Sequence, residues 1–186
     1  MNQDSHLNQL VVPPSQRDHY QGILSAPVML VEYGNYQCPQ CREAHQLIQA
    51  IQQHFNSGFS EENWVCIVFR HFVQNSINPQ AQKAAQAAAA AAAQGQFWQM
   101  HDMLFTHSQE LGDGYLVEYA DVLGLDISQF LQDLSNQVHV GRINQDMKSG
   151  LDSGVTSAPA LFINGILYRG RWNMEQLMAA VTAASH

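Results

Sequence analysis

Positive charge is scarce in this sequence. Eight Lys plus Arg stand against sixteen Asp plus Glu, a formal net charge of −8. No basic cluster is available to neutralise a run of phosphates, so nucleic acid is not an expected partner. Long apolar runs are also missing. The longest, Ala87 to Ala93, is made of the least hydrophobic apolar residue and is too short to span a bilayer, so no membrane partner is expected. The first six residues hold no apolar stretch ahead of a small-residue cleavage site, and a secretory leader is not expected. Cysteine occurs only at positions 38, 41 and 66, an odd number that cannot all pair within one chain, so structural disulfides do not explain them.

What is present is enough for a core. Hydrophobic residues make up 46% of the chain, including three Trp, eight Phe and six Tyr, and burying them offsets the chain entropy of one domain or of a small domain with an insertion. Residues 1–26 carry Pro13, Pro14 and Gly22 and one short apolar patch at Leu10 to Val12, and read as an irregular arm with one edge strand. Val28 to Tyr33 is a β-branched and aromatic run. A helical pattern follows it from Pro39 to about Phe55, and then the continuously apolar stretch Trp64 to Phe69, as in a strand buried on both faces. This is a βαβ unit. Asn78 and Pro79 are suited to an N-cap and first turn for the Ala-rich helix from Ala84 to Ala93. Further helices are expected at Phe97–Thr106, Tyr115–Leu123, Ser128–Leu134 and Val138–Leu151. Ala160–Ile163 and Ile166–Arg169, joined by Asn164-Gly165, form a hairpin pattern, and Asn173 with Gln176 forms a capping-box pattern before a closing helix.

Three segments now matter together: Glu32-Tyr33-Gly34-Asn35-Tyr36-Gln37-Cys38-Pro39-Gln40-Cys41, Phe97-Trp98-Gln99-Met100-His101-Asp102-Met103-Leu104-Phe105, and Gly154 to Gly165 with Ala158-Pro159 inside it. With the order β-α-β, helices, β-hairpin, α, the chain from about Pro27 to Ala180 resembles the DsbA-like thiol-disulfide oxidoreductases. It departs from them in small ways, with Asn35 where members often carry Asp and Val73 where they often carry Pro. The resemblance implies an α/β thioredoxin-like fold: a central mixed sheet flanked by helices, with an inserted all-helical subdomain. The expected division is an arm at 1–26, the first half of the fold at 27–76, the insertion at 77–136 and the second half at 137–186.

The chemistry rests on the Cys-Pro-Gln-Cys segment. Disulfide exchange needs an attacking thiolate and a second thiol close enough to release the mixed disulfide. At the start of a helix, Cys38 has backbone N–H groups and the positive end of the helix dipole to stabilise its thiolate, which makes it the exposed nucleophile. Cys41, one turn deeper, is the resolving thiol. A zinc half-site or two inert core cysteines are the alternatives. Zinc needs further ligands, and apart from Cys41 with His45 the nine His form no ligand pattern, so no metal site is expected.

Strand alternation places Glu32 with Val28 and Leu30 on a buried face, the alternative being a solvated Glu on an edge strand. The resemblance implies that it takes the proton from Cys41. The resemblance also implies a cis Ala158-Pro159 bond facing the dithiol, against a trans proline that merely begins a strand, with the Ala158 backbone pairing an extended substrate. Pro39 and Gln40 are the expected neighbours of the bound substrate. Strong oxidants of the family carry His where Gln40 stands, so the Cys38 pKa is expected below that of a free thiol but above theirs. Cys66 reads as a small core residue, and His71, His101 and His107 as packing or surface residues.

The expected activity is disulfide exchange with protein thiols and disulfides, with no cofactor beyond the redox-active Cys38–Cys41 pair. Glutathione or a thioredoxin-type reductant is the expected electron partner. The alternative is a glutathione-linked reductase or transferase acting on small-molecule mixed disulfides, and a third, non-enzymatic reading is a metal-binding or thiol-sensing module. The apparent lack of a leader and the single uncommitted cysteine point to the cytoplasm.

Overall fold

The computed structural model describes residues 8–57, 64–74 and 78–185. Five strands form one sheet in the order β1-β3-β2-β4-β5. These are β1 (His19–Gln21), β2 (Val28–Gly34), β3 (Val65–His71), β4 (Ala160–Ile163) and β5 (Ile166–Leu167). Strands β2 and β3 run parallel and all other pairs antiparallel. Helix α1 (Pro39–Asn56) is the crossover between β2 and β3. Every residue of β3 is buried, as its apolar run foretold. Its last two, Arg70 and His71, lie beyond the expected strand end because partners satisfy them: the Arg70 guanidinium takes Asp18 in a bidentate pair, and Asp146 accepts from the His71 backbone N–H.

Between β3 and β4 lie α2 (Ala81–Ala93), α3 (Phe97–Thr106), α4 (Asp113–Val122), α5 (Ile127–Ser135) and α6 (Val140–Asp152), and α7 (Met174–Ala184) closes the chain. The alanines of α2 are buried nearly all round, so neighbouring helices approach its backbone closely, and they share an apolar cluster with Phe97, Met100, Leu104 and Phe130. A second cluster joins α1 and α7 to one face of the sheet through Ile48, Ile51, Leu177 and Val181. The arrangement is the thioredoxin-like α/β fold.

The arm supplies the expected edge strand, at His19–Gln21, where it pairs with β3, and in its apolar patch Val11 and Val12 remain exposed. Three local expectations need correction. Helix α2 starts at Ala81, not at Pro79: the Asn78 carbonyl accepts from Ala81 N–H, closing a turn, and the Gln80 N–H is taken up by Gln37 Oε1. The hairpin turn is as expected, with Asn164 at φ 47° and Gly165 at φ 81°, but β5 ends at Leu167, since Tyr168 turns its hydroxyl onto the Arg171 carbonyl. The capping box is half made. Asn173 Oδ1 accepts from Gln176 N–H, whereas Gln176 Oε1 reaches Arg171 N–H instead of its own cap.

Candidate active site

Cys38 is the N-cap of α1, with extended backbone (φ −89°, ψ 117°) and Pro39 in the first helical position. Its Sγ accepts from the Cys41 backbone N–H at 3.2 Å. That bond, in the position where an N-cap oxygen normally sits, puts a first-turn amide, shared with the Cys38 carbonyl, and the positive end of the helix dipole onto the sulfur. The Cys41 thiol and the backbone amides of Cys41 and Gln40 hold the Cys38 pKa down to about 7, against the opposing pull of burial. The expected exposure of Cys38 is corrected: only 7% of the residue is accessible. Ala158 and the end of Gln40 cover it, with the Ala158 carbonyl oxygen and Gln40 Oε1 each 3.7 Å from Sγ. Both oxygens suit a protonated thiol. A half-turn of the Gln40 amide offers its NH2 to a thiolate instead, so this side chain can follow the charge on the sulfur.

Cys41 is fully buried, and burial together with the neighbouring Cys38 raises its pKa far above the usual thiol range. The two thiols are therefore unlike: one poised to ionise near neutrality, the other held protonated. Glu32 lies beneath them. It is 2% exposed, Oε1 has no hydrogen-bond partner among the described residues, and burial followed by the Cys38 charge pushes its pKa up to about 8. The charge on Glu32 in turn raises Cys41. The sheet register sets this position, pairing Glu32 with Phe69 and with Leu161 on its two sides, so the strand is central and not an edge. Gly34 leaves the space: a Cβ there would stand 3.0 Å from the Phe69 ring and 3.3 Å from Glu32 Oε1.

The Ala158–Pro159 peptide is cis, and its loop faces the start of α1. A surface groove of about 490 Å³ runs from Gln40 and Glu43 past Leu47 to Ala158, Pro159 and Trp172. Trp172 was not foreseen as part of the site. Nothing marks it locally, and it reaches the groove only because the segment after β5 folds back beside the Pro159 loop. Cys66 is buried in β3, its thiol pKa raised to about 11 by burial, which suits a core residue.

The histidines do form a constellation that their spacing in the sequence concealed. His45 of α1 meets His101 and Asp102 of α3, the donor atoms all lying within 4.8 Å of one another. This corrects the expectation that no such pattern exists. Its signal is purely tertiary, since His45 is remote in sequence from the other two.

Fold and dithiol together define a class, the thioredoxin-fold proteins with a Cys-x-x-Cys pair at a helix start. The chain belongs to the thioredoxin family, whose model, described as Thioredoxin, matches residues 15–183. Among solved structures it resembles a thioredoxin-like oxidoreductase from Silicibacter pomeroyi, with a TM-score of 0.77 and 26% identity over 99% of this chain and 98% of that one. It shares its fold with oxidised BdbD from Bacillus subtilis (TM-score 0.79, 18% identity, 96% and 98% covered) and with alpha-DsbA1 from Wolbachia pipientis (0.77, 18%, 92% of each).

Among curated relatives, the chain is 40% identical over 176 residues to a protein of Salinispora tropica named Na(+)/H(+) antiporter NhaA 3. It is 32% identical over 167 residues to one of Herminiimonas arsenicoxydans named Na(+)/H(+) antiporter NhaA. The matches cover 94% and 90% of this chain but only 26% and 25% of those proteins. The cytoplasmic placement expected from the sequence is overturned by this finding, because the similar segments belong to longer chains named as ion antiporters. Among the described residues, no helix is long and apolar enough to cross a membrane.

Proposed function

We propose that the chain exchanges disulfides with protein substrates through Cys38 and Cys41. The observation that carries the reading is the asymmetry of the pair: Cys38 Sγ held by the Cys41 amide at the helix start, and Cys41 buried beside an unpartnered carboxyl group. In the reducing direction the Cys38 thiolate attacks one sulfur of a substrate disulfide. The substrate S–S bond breaks, a mixed disulfide forms, and the other substrate sulfur leaves as a thiolate that takes a proton from water. Cys41 then gives its proton to the share of Glu32 that is ionised near neutral pH and attacks Cys38 Sγ, which releases the second substrate thiolate. The domain ends two electrons oxidised, and a reductant restores it. Installing disulfides is the same sequence reversed.

The groove between α1 and the Ala158–Pro159 loop supports an extended peptide as substrate, with Ala158 pairing its backbone and Pro39 and Gln40 flanking the attacked bond. Cys38→Ser should abolish reduction of insulin disulfides, while Cys41→Ser should accumulate a mixed disulfide between Cys38 and substrate, visible by mass spectrometry. Adducts trapped in Cys38→Ser but not in Cys41→Ser would reverse the roles. Re-reduction by glutathione but not by a protein dithiol would favour the small-molecule reading instead.

A further inference from the structure

A second group of reactive side chains lies on the flank of α1, one turn beyond Cys41. His45 Nε2 stands 3.2 Å from Asp102 Oδ1, and the His45 and His101 rings meet edge to face with centroids 4.8 Å apart. We infer that His45, His101 and Asp102 form a site for a divalent transition-metal ion of the zinc type, separate from the dithiol.

Three observations carry this. The first is donor chemistry and spacing. Two imidazoles and one carboxylate are a common zinc ligand set with a fourth position left to water. With metal–ligand bonds of about 2.0–2.1 Å, the donors of a tetrahedral ion sit about 3.3–3.4 Å apart. The His45–Asp102 pair, at 3.2 Å, is close to that separation, and all three donors lie within 4.8 Å of one another, so an ion would draw the third inward.

The second is that the ligands are held from behind. The Tyr36 hydroxyl meets His101 Nδ1 at 2.9 Å, which leaves Nε2 for the ion, and Gln49 Nε2 donates to Asp102 Oδ1 at 3.0 Å. Outer bonds of this kind fix the orientation of metal-binding imidazoles and carboxylates. His101 is 1% exposed, so these outer bonds act on a buried ring.

The third is access. A surface cavity of about 420 Å³ opens onto His45 and Asp102 and gives an ion a route in and room for a water ligand. Arg42 lines the same mouth and opposes a cation, which sets a limit on affinity.

The test must keep the thiols from binding the metal. Untagged protein with Cys38 and Cys41 oxidised to the disulfide is dialysed against Zn2+, and bound metal is measured. One ion per chain is expected. Asp102→Asn, a change at a half-exposed side chain, and His45→Gln should each weaken binding at least tenfold, while His107→Gln should leave it unchanged. Co2+ in place of Zn2+ should give the visible absorption of a four-coordinate nitrogen and oxygen site without the ultraviolet band of thiolate ligation. Absence of stoichiometric metal, or binding that survives both ligand substitutions, would overturn the assignment. Neither result bears on disulfide exchange, which insulin reduction measures separately.

Discussion

At the scale of single residues, the site is a set of proton affinities made unequal by position. Cys38 ionises near pH 7 because the Cys41 thiol and nearby amides face it, Cys41 resists ionisation because burial and the neighbouring Cys38 outweigh the amide bond it receives, and burial and then the Cys38 charge keep the proton on Glu32 to about pH 8. Absorbance of the Cys38 thiolate should therefore titrate near pH 7 in the reduced protein. Glu32→Gln should slow release of the mixed disulfide by roughly 10²-fold, the low end of what a positioned base supplies, and leave the first attack by Cys38 much less affected. Stopped-flow measurement of the two phases separates them, and equal slowing of both would mean damaged packing. At position 40, a protonated His supplies a full charge where Gln supplies a dipole. Gln40→His should lower the Cys38 pKa and make the couple more oxidising, by about 30 mV per unit of pKa. Equilibration with glutathione buffers reads that potential, and an unchanged value would show that position 40 does not set it.

At the scale of elements, packing against fixed neighbours overrides local propensity. Gly150 sits inside α6, where alanine ordinarily stabilises a helix by about 1 kcal/mol. Here an added Cβ would stand 3.0 Å from ring atoms of both Phe72 and Tyr33. Those rings cannot give way, because the Tyr33 hydroxyl is held by Ser149 and Arg70 and both rings are fully buried. Gly150→Ala should consequently destabilise the protein by about 1–3 kcal/mol in urea unfolding, the usual cost of overpacking. The opposite case is the N-cap of α7. The Asn173 side chain accepts from Gln176 N–H at an exposed position, so Asn173→Ala should lose about 1 kcal/mol and no more.

At the scale of the whole molecule, one buried ion network fastens the arm to the sheet. Arg70 spends its guanidinium on both Asp18 oxygens, the Val12 and Pro13 carbonyls and the Tyr33 hydroxyl, and Arg142 of α6 joins Asp18 to Asp146. With both partners nearly inaccessible, Arg70→Ala should cost about 3 kcal/mol, because it takes the bidentate partner from a buried Asp18 and leaves it only Arg142.

Stability should also fall on both sides of a pH optimum. His19 has its pKa depressed to about 4 by burial and then by Arg142, so between pH 6.5 and 4 the unfolded chain binds a proton that the native one does not, and stability drops as pH falls. His71 and His101 are depressed in the same direction. Glu32 does the reverse. Between about pH 4.5 and 8 the native reduced protein keeps a proton that the unfolded chain has released, so stability declines as pH rises. Urea midpoints across pH should show the alkaline limb flattened in Glu32→Gln and the acid limb reduced in His19→Phe, which keeps the ring stacked on Phe97 at 3.7 Å.

The sequence by itself determined the βαβ start, the Ala helix, the Asn164-Gly165 turn and the Cys-x-x-Cys at a helix entrance. Each depends on residues within a few positions of one another, where periodicity, propensity and turn geometry act. It also placed Glu32 on a buried face, since alternation in a strand is a local property. Contacts between remote segments had no such signature. The cover over Cys38 comes from Ala158, the groove wall from Trp172, the shelter for Arg70 from Asp18, and the second imidazole beside His45 from α3. Which polar groups are buried together, and so which protons are held or released, was decided only when the sheet and helices closed on one another.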